Sequence, residues 1–106
     1  MLYLPKILIL LVLILNTNKE ERVFYLPFDI PGTQMAATIP PFGIFIEEEY
    51  RYEGDIPGSI LRHEKVHWSQ YQRMGLNRFY YSYTSEYLKH GRINNWMEED
   101  ARRFSK

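Results

Sequence analysis

Two histidines four residues apart, with a glutamate between them, are the residues of this chain best suited to chemistry. His63, Glu64 and His67 form the pattern H-E-x-x-H. If this segment is helical, the two imidazoles lie on one face about one turn apart, where both can bind one tetrahedral zinc ion. The carboxylate between them can then reach a water on that metal and take its proton. The pattern therefore predicts a metal-dependent hydrolase with His63 and His67 as ligands and Glu64 as general base.

A helix over Ile60–Met74 is predicted to carry this pattern. Ser59 is a suitable N-cap, and Gly75 can end the helix as its C-terminal cap. The residues at helical spacing that would face inward are Ile60, His63, Glu64, His67 and Tyr71, with Leu61 and Trp68 beside them.

Short strands are predicted before this helix and two more helices after it. The predicted strands are Val23–Leu26, residues 35–39 and residues 43–46, and a charged, exposed connection over residues 47–55 follows them. A second helix over residues 77–89 ends near Gly91 and carries an aromatic stripe expected in the core, consisting of Phe79, Tyr80, Tyr83, Tyr87 and Leu88. A third helix is predicted to begin near Asn94 or Asn95 and to include Trp96, Met97, Ala101 and Phe104. This order of elements predicts an α+β fold.

A third metal ligand is expected after the H-E-x-x-H helix, because a catalytic zinc ion usually has three protein ligands and a water. The candidates are Glu86, His90, Glu98, Glu99 and Asp100. Glu98 is preferred because it opens the third helix, whose apolar residues can bury one side. The small residue Ala101 would let that helix approach the metal-binding helix closely, and Glu99 would then point outward.

The composition limits the kinds of protein that this chain can be. It has 106 residues, no cysteine, and 13 acidic residues against 13 basic ones. This is enough for one small domain, which we assign to residues 19–106. The balanced charge argues against a nucleic-acid-binding protein. Without cysteine there are no disulfides and no thiolate ligands, so a bound zinc ion must be held by histidine and carboxylate.

The first fifteen residues are apolar except for Pro5 and Lys6. As a helix they would span about 22 Å, less than the roughly 30 Å hydrocarbon core of a bilayer. A short apolar run behind one lysine is typical of a signal-peptide core or a signal anchor. We therefore expect residues 1–18 to be an uncleaved membrane anchor or export signal that directs the domain to the cell envelope. A buried N-terminal core element is the alternative.

The H-E-x-x-H pattern and the glutamate of the third predicted helix together resemble the metal-binding motifs of the gluzincin family of zinc metallopeptidases. The pattern from His63 to His67 is followed further along the chain by Glu98-Glu99-Asp100-Ala101. In gluzincins the third ligand is the first glutamate of such an E-x-[E/D]-A-like helix. The resemblance therefore implies a minimal zincin-like domain in which His63, His67 and Glu98 hold Zn²⁺. More narrowly, about the last fifty residues are similar to short H-E-x-x-H proteins of bacteria and their phages.

The activity implied by the resemblance is hydrolysis of an amide bond in a peptide or protein substrate. An oxyanion donor is needed beside the metal, and Tyr80, Tyr83, Tyr87 and His90 are unranked candidates. The strand over residues 43–46 is expected to offer an edge to an extended peptide. Larger gluzincins often have an aspartate four residues after the ligand glutamate to support a ligating histidine. Arg102 stands there in this chain, so the supporting residue is not identified from the sequence.

Two other functions remain open at this stage. The first is a non-catalytic domain in which zinc only stabilises a small core. The second is a membrane-tethered interaction module, in which the aromatic helices bind a partner and the H-E-x-x-H pattern is accidental. Glu64 favours catalysis over the structural role, because a structural site needs no base at that position.

Overall fold

The computed structural model describes residues 20–32 and 35–106. The elements, in chain order, are β1 (Val23–Leu26), β2 (Ala36–Ile39), β3 (Gly43–Glu47), a 3-10 helix (Glu48–Glu53), α1 (Ile60–Met74), α2 (Leu76–His90) and α3 (Trp96–Phe104). The predicted α+β class is thus confirmed. The predicted anchor over residues 1–18 lies outside the described residues, and within them no helix combines the length and apolar character needed to cross a bilayer.

The three strands form one sheet in the order β1-β3-β2. β3 runs parallel to β1, with Val23 opposite Ile44, and antiparallel to β2, with Thr38 opposite Ile44. The strand over residues 43–46 is therefore central and both of its edges are occupied. The expectation that it would pair with a peptide is wrong, and the edge strand that adjoins the helix carrying His63 and His67 is β2.

Gly43 begins β3 at a point where the backbone of the preceding segment passes very close. Its φ is +151°, and a Cβ at this position would lie 2.7 Å from the carbonyl oxygen of Arg22. That same oxygen accepts a hydrogen bond from the Ile44 amide at 2.7 Å. A side chain at residue 43 would therefore interfere with the start of the β1–β3 pairing.

The core lies between the sheet and the helices. Ile44 and Ile46 are two residues apart on β3 and therefore point to the same face of the sheet. They belong to a buried cluster that also contains Trp68, Tyr71, Phe79 and Met97. Full burial of each such side chain stabilises the fold by about 1.5–3 kcal/mol. Helix α1 and strand β3 each contribute two residues to this cluster, and α1 contacts both β2 and β3.

The bounds of α1 agree with the sequence prediction because both end signals act as expected. The Ser59 hydroxyl accepts a hydrogen bond from the Arg62 amide at 3.1 Å, which caps the first turn. Gly75, with a φ of +83°, ends the helix, and its amide donates a hydrogen bond to the Tyr71 carbonyl. The same glycine directly precedes α2, so α1 and α2 are joined by a single residue.

Two expectations about the other elements are corrected. The connection predicted to be exposed over residues 47–55 begins inside β3, where Glu47 is buried, and continues as a 3-10 helix that is exposed at most of its positions. The aromatic stripe of α2 is only partly in the core: Phe79 is buried and Tyr83 is half-buried, but Tyr87 and Leu88 are 51% and 79% exposed. The reason is that α2 packs mainly against α1 and so buries only a narrow face.

Candidate metal centre

Helices α1 and α3 bring the three predicted ligand residues together. The Nε2 atoms of His63 and His67 lie 2.9 Å and 3.0 Å from the same carboxylate oxygen, Oε1 of Glu98. The two imidazole rings stand one turn apart on α1, with centroids 5.1 Å apart. The potential ligand atoms of the three residues all lie within 4.8 Å of one another. This is the spacing expected of side chains that share one metal ion.

The first turn of α3 is fixed in place by Asn95. Its side-chain oxygen accepts a hydrogen bond from the Met97 amide at 2.9 Å, and its side-chain nitrogen donates to the Tyr83 carbonyl at 3.3 Å. Met97 and Ala101 are fully buried on the side of α3 that carries Glu98 inward. Glu99 is exposed, as expected from its position on the helix. Capping and close helix packing together determine where the Glu98 carboxylate lies.

Gln70 determines which nitrogen of His67 faces Glu98 with a free lone pair. The Gln70 side-chain nitrogen donates to the Met97 carbonyl at 3.0 Å, so its oxygen is turned toward His67 and accepts from Nδ1 at 2.9 Å. When His67 is neutral, its proton lies on Nδ1 and the lone pair of Nε2 points at the Glu98 carboxylate; a second proton, on Nε2, lets the metal-free side chain donate a hydrogen bond to that carboxylate. Two lone pairs at 3.0 Å repel each other unless a proton or a cation lies between them. The donor arrangement therefore fits a bound cation.

The distances also fit a zinc ion. With ordinary zinc–nitrogen and zinc–oxygen bond lengths, donors at tetrahedral angles lie about 3.3 Å apart. The two nitrogen-to-oxygen distances in the structure are a few tenths of an ångström shorter. A small outward movement of the Glu98 carboxylate would open the required space. Two imidazoles and one carboxylate suit zinc better than calcium or magnesium, which prefer oxygen-only sites.

The Glu98 carboxylate is held in its charged form. Burial alone would raise its pKa, but hydrogen bonds from His63 and His67 outweigh burial and hold the pKa far below its usual range. The Tyr83 hydroxyl donates to the other oxygen, Oε2, at 2.6 Å. Burial and this hydrogen bond raise the pKa of Tyr83, while the positive charge of Arg92 acts in the opposite direction. Glu98 is thus an anionic side chain whose second oxygen is fixed by a neutral phenol and whose first oxygen faces both imidazoles.

Glu64 lies beside the three ligand residues but is held by different contacts. The Thr38 hydroxyl on β2 lies 3.1 Å from Glu64 Oε2 and 3.0 Å from the Glu64 backbone oxygen, so it can donate to either. Burial raises the pKa of the Glu64 carboxyl, and the charges of His67 and His63 oppose this. A carboxyl whose pKa is raised toward neutrality is better suited to accept a proton at physiological pH.

A groove of about 710 Å³ gives access to this centre. His63, Glu64 and Glu98 line its floor, and Met35 and Ala36, at the start of β2, line one wall. His67 is buried behind His63, with 4% of its surface exposed. A molecule in the groove can therefore reach His63, Glu64 and Glu98 from the same side.

Sequence reasoning missed two residues that support the centre. Gln70, three residues after His67 on the same helix, accepts the hydrogen bond from His67. The supporting residue is therefore Gln70 and not a residue at position 102. The signal for it was the extended spacing H-E-x-x-H-x-x-Q. Arg102 instead donates to the Ile93 carbonyl at 2.6 Å. Thr38 was missed because nothing in the sequence indicates which strand lies along α1.

The four candidate oxyanion donors lie in different surroundings. Tyr83 is the one of these described side chains that hydrogen-bonds to Glu98. The Tyr80 hydroxyl donates to the Pro40 carbonyl, and Tyr87 is half exposed. His90 lies at the end of α2, 3.8 Å from a carboxylate oxygen of its own helix. Tyr83 is therefore the candidate best placed to act at the centre.

A second group of potential ligand atoms occurs at the edge of the sheet and consists of Asp29, Glu47 and Glu49. Asp29 and Glu49 are exposed. The Glu47 side chain is already engaged, because its Oε2 accepts a hydrogen bond from the Ile30 amide at 2.7 Å. This group contains no imidazole and has no base beside it comparable to Glu64.

Comparison with protein-family models, with curated proteins and with solved structures found no match for this chain. What the centre can do is therefore inferred from its own geometry and chemistry.

Proposed function

We propose that this protein is a zinc-dependent metallopeptidase in which His63, His67 and Glu98 bind Zn²⁺ and Glu64 is the general base. The observation that carries the proposal is the convergence of both Nε2 atoms on one Glu98 oxygen within 3.0 Å. A buried carboxylate that is not one of the three ligands lines the same groove. Three protein ligands and an adjacent base are the parts that a catalytic zinc site requires.

Each residue has a distinct role in the proposed hydrolysis. Zinc supplies a Lewis acid that polarises the scissile carbonyl and lowers the pKa of water to about 7. Glu64 would orient the attacking water, take its proton and pass that proton to the leaving amine nitrogen as the C–N bond breaks, and the Thr38 hydroxyl would hold the carboxylate in position for this. Gln70 keeps His67 in the tautomer that leaves Nε2 free to bind metal. Tyr83 fixes Glu98 and is the nearest donor for the oxyanion that forms.

A peptide is the substrate class that the surroundings of the groove favour. Within the described residues β2 pairs only with β3, so its other edge can accept an added strand. The start of β2 lines the groove, and Thr38 of the same strand contacts Glu64. A peptide extended along β2 would bring its amide bonds past the base.

The open groove favours catalysis over a purely structural zinc site. Structural zinc ions are usually enclosed by four protein ligands. Here three candidate ligands are found together in the described part of the chain, and two of them line an open groove. A structural site would also not require a buried carboxylate such as Glu64 beside the ligands.

The test is the isosteric substitution Glu64→Gln, which removes the base and leaves the three ligands in place. We expect the variant to bind zinc as the wild type does and to lose peptide hydrolysis by about 100-fold or more. Glu49→Gln, an exposed carboxylate outside the groove, is the matched control and should keep full activity. Undiminished hydrolysis by Glu64→Gln would contradict the assigned role, and a wild type that binds zinc but cleaves no peptide would leave only the structural function.

A further inference from the structure

The groove beside the metal centre is lined by a concentration of positive charge. Its wall contains Arg92, Arg102, Arg103 and Lys106. Apart from Glu64 and Glu98 at the centre, Glu99 is the acidic residue among its lining side chains. The whole chain has equal numbers of acidic and basic residues, so this is a local excess and not a consequence of composition.

These cations are not balanced by neighbouring carboxylates, unlike several basic residues elsewhere. On other surfaces Arg51 pairs with Glu48 at 2.6 Å, and Arg62 pairs with Asp55 at 2.6 Å. Among residues 20–32 and 35–106, no carboxylate lies within 4.0 Å of the charged nitrogens of the groove cations. All four are exposed, so their charges are available to a molecule in the groove.

Arg102 and Arg103 lie on α3, beyond Glu98 along the helix. Arg102 is four residues after Glu98 and therefore lies on the same face, one turn further along. Its hydrogen bond to the Ile93 carbonyl holds the side chain in place and leaves its other N–H donors free. Arg92 precedes α3 and lines the same groove.

We propose that the groove selects peptides that carry carboxylate groups next to the scissile amide and that Arg92, Arg102 and Arg103 bind those carboxylates. The guanidinium group suits this role because its planar fork donates two parallel hydrogen bonds to a carboxylate. The inference rests on the proposed peptidase function, since it names the substrate class of that site. Acidic side chains and a free C-terminal carboxylate share this chemistry.

The test is a binding measurement that does not depend on turnover. The full chain carrying Glu64→Gln is loaded with zinc and titrated into labelled peptides of one sequence, with either glutamate or glutamine on both sides of the central amide. Each peptide is prepared with a free and with an amidated C-terminus. Since exposed ion pairs contribute about 2- to 5-fold each, two such contacts should make the acidic peptide bind about tenfold more tightly at low salt. Salt at about 1 M should remove most of this preference by screening.

The matched variants separate groove charge from general charge. Arg92→Gln combined with Arg103→Gln should reduce the preference to about 2-fold or less, because the two charges are gone. In the described part of the chain the side chains of Arg92 and Arg103 make no hydrogen bond or ion pair, so the fold should be unaffected. Arg78→Gln removes an exposed arginine of α2 that does not line the groove and should keep the tenfold preference.

Each outcome bears on the inference. Tighter binding of the glutamate peptide than of the glutamine peptide, or of the free C-terminus than of the amidated one, supports it and identifies which carboxylate is bound. Equal binding of all four peptides by the parent protein would overturn it, and so would a preference that persists in the double variant. Failure of the proposed function has a different result, because a wild type that cleaves none of these peptides could still bind the acidic ones selectively.

Discussion

Replacing Gln70 with methionine tests whether the zinc site depends on a supporting residue from its own helix. Gln70 is 1% exposed, and methionine is close to it in size, so the substitution leaves little empty space. The change removes the acceptor 2.9 Å from His67 Nδ1 and the donor 3.0 Å from the Met97 carbonyl. His67 then loses the contact that fixes its tautomer and its ring orientation.

The expected effect on zinc binding follows from this loss. Removing the supporting partner of a ligating histidine weakens metal affinity by about 10- to 100-fold. The corresponding loss of binding free energy is about 1.4–2.7 kcal/mol. The zinc-free protein should also lose about 1–3 kcal/mol of stability for each buried group left unsatisfied, namely His67 Nδ1–H and the Met97 carbonyl.

Competition with a chromophoric chelator measures the zinc affinity, and chemical denaturation of the zinc-free protein measures the free energy of unfolding. Asn77→Met, at an exposed position of α2, is the control and should change neither quantity appreciably. Gln70→Glu keeps an acceptor for His67 and loses the donor to Met97, so we expect it to keep zinc affinity and lose stability. Wild-type zinc affinity in Gln70→Met would refute the proposed role of Gln70.

Three further predictions concern the packing at the start of β3, the pH dependence of stability and residues 1–18. Gly43→Ala should lower the free energy of unfolding by about 1–3 kcal/mol, because residue 43 has a positive φ and its Cβ would lie 2.7 Å from a carbonyl oxygen. Gly54→Ala is the control and should lower the free energy of unfolding by less, because no atom lies within 4 Å of a Cβ at that position. Burial alone would lower the pKa of His67, but its hydrogen bond to Glu98 raises this pKa above the ordinary value of 6.5. The free energy of unfolding of the zinc-free protein should therefore fall as the pH rises from 6.5 through the pKa of His67. Stabilisation by zinc should increase over the same pH range, because the ligands must be deprotonated to bind the metal. Fusing residues 1–18 to a soluble reporter should move the reporter to the membrane fraction, and a reporter that stays soluble would contradict the predicted anchor.

The helices and the placement of His63 and His67 on one face were predictable because their signals are local. Ser59 and Gly75 mark the ends of α1, and the spacing of the two histidines places both on one helical face whatever the rest of the fold does. The position of Glu98 beside them was predictable from one assumption, that the amphipathic helix with this carboxylate in its first turn packs against α1.

The strand order and the supporting contacts could not be predicted because they depend on tertiary packing. Strands of four or five residues carry too little pattern to show which of them is central, so β3 was mistaken for an edge. Gln70 looks like an ordinary polar helix residue until the Met97 carbonyl is known to lie 3.0 Å from it. Leu88 was expected in the core because its helix is apolar on that side, but no described element covers it.

The most direct test of the proposed metal centre is the zinc content of the full chain, purified in detergent. The wild type should bind about one zinc ion per chain, and His63→Ala, His67→Ala and Glu98→Ala should each lose most of it. His90→Ala, the remaining histidine at the end of α2, should keep the wild-type content. A wild type that binds no zinc, or a His67→Ala variant that binds as much as the wild type, would contradict the central claim.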